Sequence, residues 1–218
     1  MMTTTPENLN NLLVYAIKNC NESECNRLIK LGADVNYIKD NYNLIMFAIV
    51  NYNNNSFNII KMLVEAGCNI NFSNVNKHTP LIYSIIFYHY DVFEYLLEKG
   101  ADVNHKNIRE KNVLFHLILS TRDKEYISNI KIIKYCNLLI DYGIDILAED
   151  IHGYRAHDYC HKFNKNIKIY EFLKQKEAER EILNQCFKRA HIEADSDDNE
   201  SDVEEQEPRI LSNEIDEK

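Results

Sequence analysis

Four of the five glycines in this chain fall within one recurring phrase. LGADVN occupies Leu31–Asn36, AGCNIN Ala66–Asn71 and KGADVN Lys99–Asn104, while YGIDIL at Tyr142–Leu147 keeps only the skeleton. The glycines Gly32, Gly67, Gly100 and Gly143 stand 35, 33 and 43 residues apart. Self-similarity at this period marks stacked supersecondary units. A pair of aliphatic residues precedes each glycine: Leu28-Ile29, Leu63-Val64, Leu96-Leu97 and Leu139-Ile140. The glycine therefore follows the last turn of an amphipathic helix, where the chain needs the left-handed conformation that other residues resist.

Each unit also begins alike. Thr79-Pro80-Leu81 lies 21 residues before Gly100, and Asn11-Leu12-Leu13 lies 21 before Gly32. Asn43-Leu44-Ile45 and Asn112-Val113-Leu114 are the equivalent points. Thr and Asn both cap by accepting from a free N–H of the first turn, and Pro suits the first helical position. Each unit reads as a capped helix, a turn, a second helix and a glycine. A fifth unit starts at Arg155, a poor cap, so its first helix is expected to fray; its second is expected over Ile167–Lys176.

TPLI at Thr79–Ile82 and GADVN at Gly32–Asn36 and Gly100–Asn104 resemble the start and end of the ankyrin repeat. Degenerate repeats rich in Asn and Ile are similar in style to the ankyrin proteins of poxviruses and other large DNA viruses or AT-rich genomes. The resemblance covers five units over residues 9–176: about 9–42, 43–78, 79–111, 112–154 and 155–176, after an N-terminal extension of residues 1–8. It implies an all-α fold, an ankyrin-repeat α-solenoid of helix-turn-helix units. It departs from the family at the histidine of its TPLH start, where Val14, Met46, Ile82, Phe115 and Asp158 stand. The cross-unit hydrogen bonds of that histidine are not implied here. Extra length falls near Asn51–Phe57 and, in the fourth unit, near Ser120–Ile130.

Beyond the array, Ile182, Leu183, Cys186, Phe187 and Ala190 make one apolar stripe at helical spacing. The reading is a capping helix over 177–192, since terminal units need a cap; the alternative is a helix that binds a partner. From Glu193 on, twelve residues are acidic and two basic, which leaves 22 acidic and 23 basic in residues 1–192. The net charge of −9 thus belongs to the tail. Residues 193–218 are expected to be disordered, with Ser196 and Ser201 as candidate phosphorylation sites.

The nearly neutral body and acidic tail argue against nucleic acid as a partner. The Leu81–Leu97 run is too polar to span a membrane, and MMTTTPENLNN lacks the pattern of a secretory signal. Cytoplasmic or nuclear localisation with reduced cysteines is expected. No GxxxxGK[ST], GxGxxG or HExxH motif occurs. His152, His157, Cys160 and His161 form the one cluster of metal-ligand types, but the repeat register accounts for them and their spacing matches no standard zinc module. Neither a metal, a cofactor nor a catalytic residue is expected.

What varies between units is the loop after each phrase. The family resemblance implies that partners meet these tips and the concave face of the first helices. Tyr37, Lys39, Tyr42, Phe72, Lys77, His105, Lys106, Arg109, Lys111 and Tyr154 are the candidate contacts, because aromatics and Arg are enriched in binding hot spots. The middle tips are basic and the last, with Glu149 and Asp150, is acidic. The chain reads as a monomeric, non-enzymatic adaptor or inhibitor with a protein partner. Two narrower alternatives are an inhibitor of NF-κB-type transcription factors, from the array followed by an acidic tail, and a ubiquitin-ligase substrate adaptor. The residues after the array are too few for a catalytic domain.

Overall fold

The computed structural model describes residues 6–53, 56–121, 128–161 and 166–197, with side chains as far as Lys188. Among them are ten helices and no strand. The pairs are α1 (Pro6–Lys18) with α2 (Glu22–Lys30), α3 (Leu44–Val50) with α4 (Ser56–Glu65) and α5 (Pro80–Ile86) with α6 (Tyr90–Glu98). Then come α7 (Val113–Leu119) with α8 (Asn129–Asp141), and α9 (Ala156–Tyr159) with α10 (Ile167–Asp197). The all-α repeat expectation holds. The chain divides into two compact parts, 1–177 and 178–218.

Within the first part the odd-numbered helices pack in a row, α1 on α3 on α5 on α7 on α9. One continuous core runs beneath them, in which Leu13, Leu44, Leu81 and Leu114 from the first helices meet Leu28, Leu63, Leu96 and Leu139 from the second. No pair could bury its apolar face alone, and the neighbouring pair supplies the missing surface.

The caps work as the sequence predicts for three units. The side-chain oxygens of Asn43, Thr79 and Asn112 accept from the N–H groups of Met46, Ile82 and Leu114. The first unit differs. α1 starts at Pro6, so Asn11 lies inside the helix and caps nothing, and the array begins before residue 9. Proline is tolerated in a first turn, so the helix can start at Pro6 and run through Asn11. Arg155 makes no side-chain cap; instead Asp158 reaches back to accept from the Arg155 N–H at 2.8 Å, and α9 is only four residues long.

Each phrase closes its helix in the same way. Gly100 N–H donates to Leu97 O and Ala101 N–H to Leu96 O, both at 2.9 Å, with Gly100 at φ +82°. The other three glycines repeat this Schellman pattern. The residue after the glycine, Ala33, Cys68, Ala101 or Ile144, is buried. The terminal Asn then joins units. Asn36 Oδ1 accepts from Asn69 N–H, Asn71 Oδ1 from Asp102 N–H and Asn104 Oδ1 from Asp145 N–H, at 2.8, 2.9 and 2.6 Å. Asn10, on α1, plays the same part for Asp34 N–H at 2.8 Å.

Two boundaries change at the C-terminal side. α8 has 13 residues, so part of the extra length in the fourth unit lengthens its second helix; residues 122–127 of the expected insert lie outside the described ones. The expected second helix of unit five, the cap and the start of the tail are one helix, α10, which ends at Asp197 and not before 193. No Gly or Pro occurs between Ile167 and Asp197 to end it, and each added residue gains one backbone bond. In the second part, Ile182, Leu183, Cys186 and Phe187 have exposed side chains.

Candidate interaction surface at the loop tips

The loops that precede α5, α7 and α9 share one local device. In each, an Asx side chain five residues before the helix cap accepts two backbone N–H bonds. Asn74 Oδ1 takes those of Asn76 and His78, both at 3.0 Å. Asn107 Oδ1 takes those of Arg109 and Lys111, at 2.8 and 3.1 Å. Asp150 Oδ1 takes those of His152 and Tyr154, at 2.9 and 3.1 Å. Such turns hold a short loop rigid without a strand partner. The loop before α3 lacks the Asx residue and closes through a paired backbone bridge between Lys39 and Tyr42.

The tips are also tied to one another. Ile108 N–H donates to Asn76 O and Ile151 N–H to Arg109 O, each at 3.2 Å, and Val75 N–H reaches Asn41 Oδ1 at 3.3 Å. The three residues that donate these links carry exposed aliphatic side chains: Val75, Ile108 and Ile151 are 74, 52 and 54% exposed, and Ile38, on the tip before α3, is 51% exposed. A row of exposed aliphatics on braced tips is what a soluble chain avoids unless the row is to be covered.

The residues expected from sequence at this surface separate into groups. Lys77 and Arg109 are exposed, and Tyr154 is partly so. Tyr37, Lys39, Tyr42, Phe72, His105 and Lys106 are half-buried. Of these, Tyr42 sets its ring edge against Tyr83, with centroids 5.6 Å apart, and His105 places Nε2 3.0 Å from Lys77 O. Lys111 is the correction. It is 7% exposed, with Nζ 3.7 Å from Asp150 and 4.2 Å from the centre of the Tyr159 ring. Its partner lies 39 positions away in sequence, so nothing local signals the inward turn. Ser201 lies outside the described residues; Ser196 falls within α10, with its side chain outside the description.

Asp150, expected as part of an acidic tip, is likewise buried. Burial works to raise its carboxyl, but the Tyr159 hydroxyl at 2.5 Å, the two backbone N–H groups and Lys111 outweigh it and hold the group below the ordinary carboxylate range. Burial lowers Lys111 from the usual lysine range, against the pull of Asp150.

The four exposed aliphatics were missed by a reading that looked for aromatics and charges. The signal of three of them is positional: Val75, Ile108 and Ile151 each follow the Asx residue and stand four before Thr79, Asn112 and Arg155, whereas Ile38 stands five before Asn43.

The suspected ligand cluster does not converge. His157 Nδ1 faces Glu177 at 2.7 Å and His152 is exposed on the tip, while Cys160 is fully buried. Among the described residues no three His, Cys, Asp or Glu side chains are grouped to hold a metal ion. Burial pushes the thiols of Cys25 and Cys160 up to about 12 and that of Cys68 up to about 11, which leaves them protonated and poor nucleophiles. Among the described residues no helix is long and apolar enough to cross a membrane.

Residues 6–107 match the family model described as ankyrin repeats, in three copies. Among curated proteins, none matches the chain. The fourth unit lies beyond the matched residues, yet it repeats the Asn112 cap and the Gly143 closure of the matched units.

Proposed function

We propose, from the premise that this chain is an ankyrin-repeat protein and hence an interaction module, that it acts as a non-enzymatic adaptor or inhibitor whose protein partner lies across the loop tips. One observation carries this reading: Ile38, Val75, Ile108 and Ile151 stand exposed in a row on tips that their own hydrogen bonds hold rigid. Rigid apolar anchors bind with little ordering cost, and burying each contributes about 1–3 kcal/mol. The exposed cations Lys77 and Arg109 flank the row and supply polar complementarity. The buried, protonated thiols fit a role without nucleophilic chemistry.

The test replaces all four aliphatics by serine and compares the variant with the native chain in quantitative capture from cells. Because the side chains are exposed, the variant should fold, which circular dichroism checks. The expected result is loss of at least about tenfold in recovery of the native chain's main partner. Undiminished recovery would show that the partner binds elsewhere.

A further inference from the structure

A cavity of about 280 Å³ opens between the tips before α5 and α7 and the α7 helix itself. Its polar lining is made of His78, Asn76, Asn107, Arg109, Lys111 and His116, with no carboxylate among the described residues that line it. Asn107 organises the site. Its Oδ1 is committed to two backbone N–H groups, so its Nδ2 must face the rings, 3.2 Å from His78 Nε2 and 3.1 Å from His116 Nε2. The amide has two hydrogens and both rings receive one. Each imidazole is therefore neutral, with its own proton on Nδ1, and each retains one N–H donor.

The charge at the site is also defined. Lys111 has Asp150 as its counter-ion, 3.7 Å away. The Arg109 guanidinium makes no ion pair among the described residues. The Arg109 backbone is pinned on both sides, its N–H bonded to Asn107 and its carbonyl to Ile151 N–H. Among the described residues, one positive charge without an ion-pair partner thus rises from a pinned backbone beside the recess, with the exposed Ile108 at its rim.

We propose that this cavity receives the carboxylate of a glutamate or aspartate side chain carried by the protein partner. The inference rests on the tip-binding reading and adds a specificity element to it. A single net positive charge matches a monoanion; a phosphate dianion would enter with excess negative charge beside Asp150. Arg109 gives the charge-assisted contact, and Ile108 takes an aliphatic neighbour of the acidic residue.

The test titrates the full chain, labelled with ¹⁵N, with three short capped peptides: a glutamate between two isoleucines, a glutamine in the same place, and a phosphoserine in the same place. The glutamate peptide is expected to shift the Asn107 side-chain amide and the His78 and His116 ring resonances saturably. The glutamine peptide should bind at least about tenfold more weakly, and R109Q should weaken the glutamate peptide by a similar factor, as loss of a charge-assisted contact does. R109Q changes an exposed side chain, and an unchanged backbone spectrum confirms its fold. Equal binding of glutamate and glutamine peptides, stronger binding of the phosphoserine peptide, or no shift with any of them would overturn the proposal. If the four-serine variant loses its partner while these peptides leave the cavity unmoved, the tip reading stands and the carboxylate pocket does not.

Discussion

Two kinds of loop alternate along this chain, and both turn through the left-handed region. At the ends of α2, α4, α6 and α8 the turning residue is always glycine, with φ from +79° at Gly143 to +90° at Gly32. At the tips it is Asn41, Lys77, Glu110 or Gly153, with φ of 68, 52, 57 and 74°. A Cβ added at any of the helix-end glycines would meet nothing within 4 Å, so the backbone angle and not crowding selects glycine there. The tips accept ordinary side chains at about 1–2 kcal/mol of strain each. The helix ends thus minimise strain and spend their polar groups on the neighbouring unit. The tips retain strain, spend their Asx groups on themselves, and keep side chains facing outward.

That contrast can be broken most severely at Asp150. Its carboxylate satisfies two backbone donors, Tyr159 and Lys111. D150A should destabilise the array by about 3–5 kcal/mol in denaturant unfolding, mostly by leaving the Lys111 charge buried and unpaired. Adding Lys111→Met should recover a large part of the loss; no recovery would mean that the backbone bonds, shared with Asn74 and Asn107, carry the stability.

The next largest effect is on pH. Burial, helped by His78 and Lys111, lowers His116 to about 3, and burial lowers His78 as well. The unfolded chain takes up a proton below about 6.5 that native His116 refuses. Stability is therefore fully present above that value and is lost progressively as pH falls towards 3. Between pH 7 and pH 5 the loss from His116 should be about 2 kcal/mol. A flatter stability profile in His116→Gln is the expected readout; an unchanged slope would remove His116 as the cause.

Smaller effects distinguish the loop classes directly. Gly100→Val should cost about 1–2 kcal/mol by urea unfolding, through backbone strain alone. Lys77→Gly and Glu110→Gly should do the opposite. Relief of left-handed strain, less the entropy of an added glycine, should raise stability by up to about 1 kcal/mol each. If both tip substitutions destabilise, the left-handed tip residues carry no strain that glycine relieves.

Local signals were the legible ones. The four glycines, the caps at Asn43, Thr79 and Asn112, and the paired aliphatics each act within a few residues, and the sequence displayed them. Asn11 misled because a cap depends on where the chain turns, and α1 runs through from Pro6. The length of α10 was missed because functional expectations divided a stretch that contains no helix breaker. The inward turn of Lys111 and the burial of Asp150 depend on each other across two units. The sequence-based list of tip residues thus left out the exposed aliphatics and counted the buried Lys111 among the outward charges.

The asparagine that ends each phrase works as one half of a connector. It presents an acceptor forward, and the next phrase presents an N–H to receive it. Because every interior unit carries both halves, a duplicated unit inserted between two others would find each of its ends already matched. Lengthening by duplication is built into such a row, and so is a stop. Leu147 stands where the fourth asparagine would be, and a leucine side chain offers no acceptor. The unit after it is held instead by Asp150, a carboxylate that needs its own counter-ion and fits no other junction in the array.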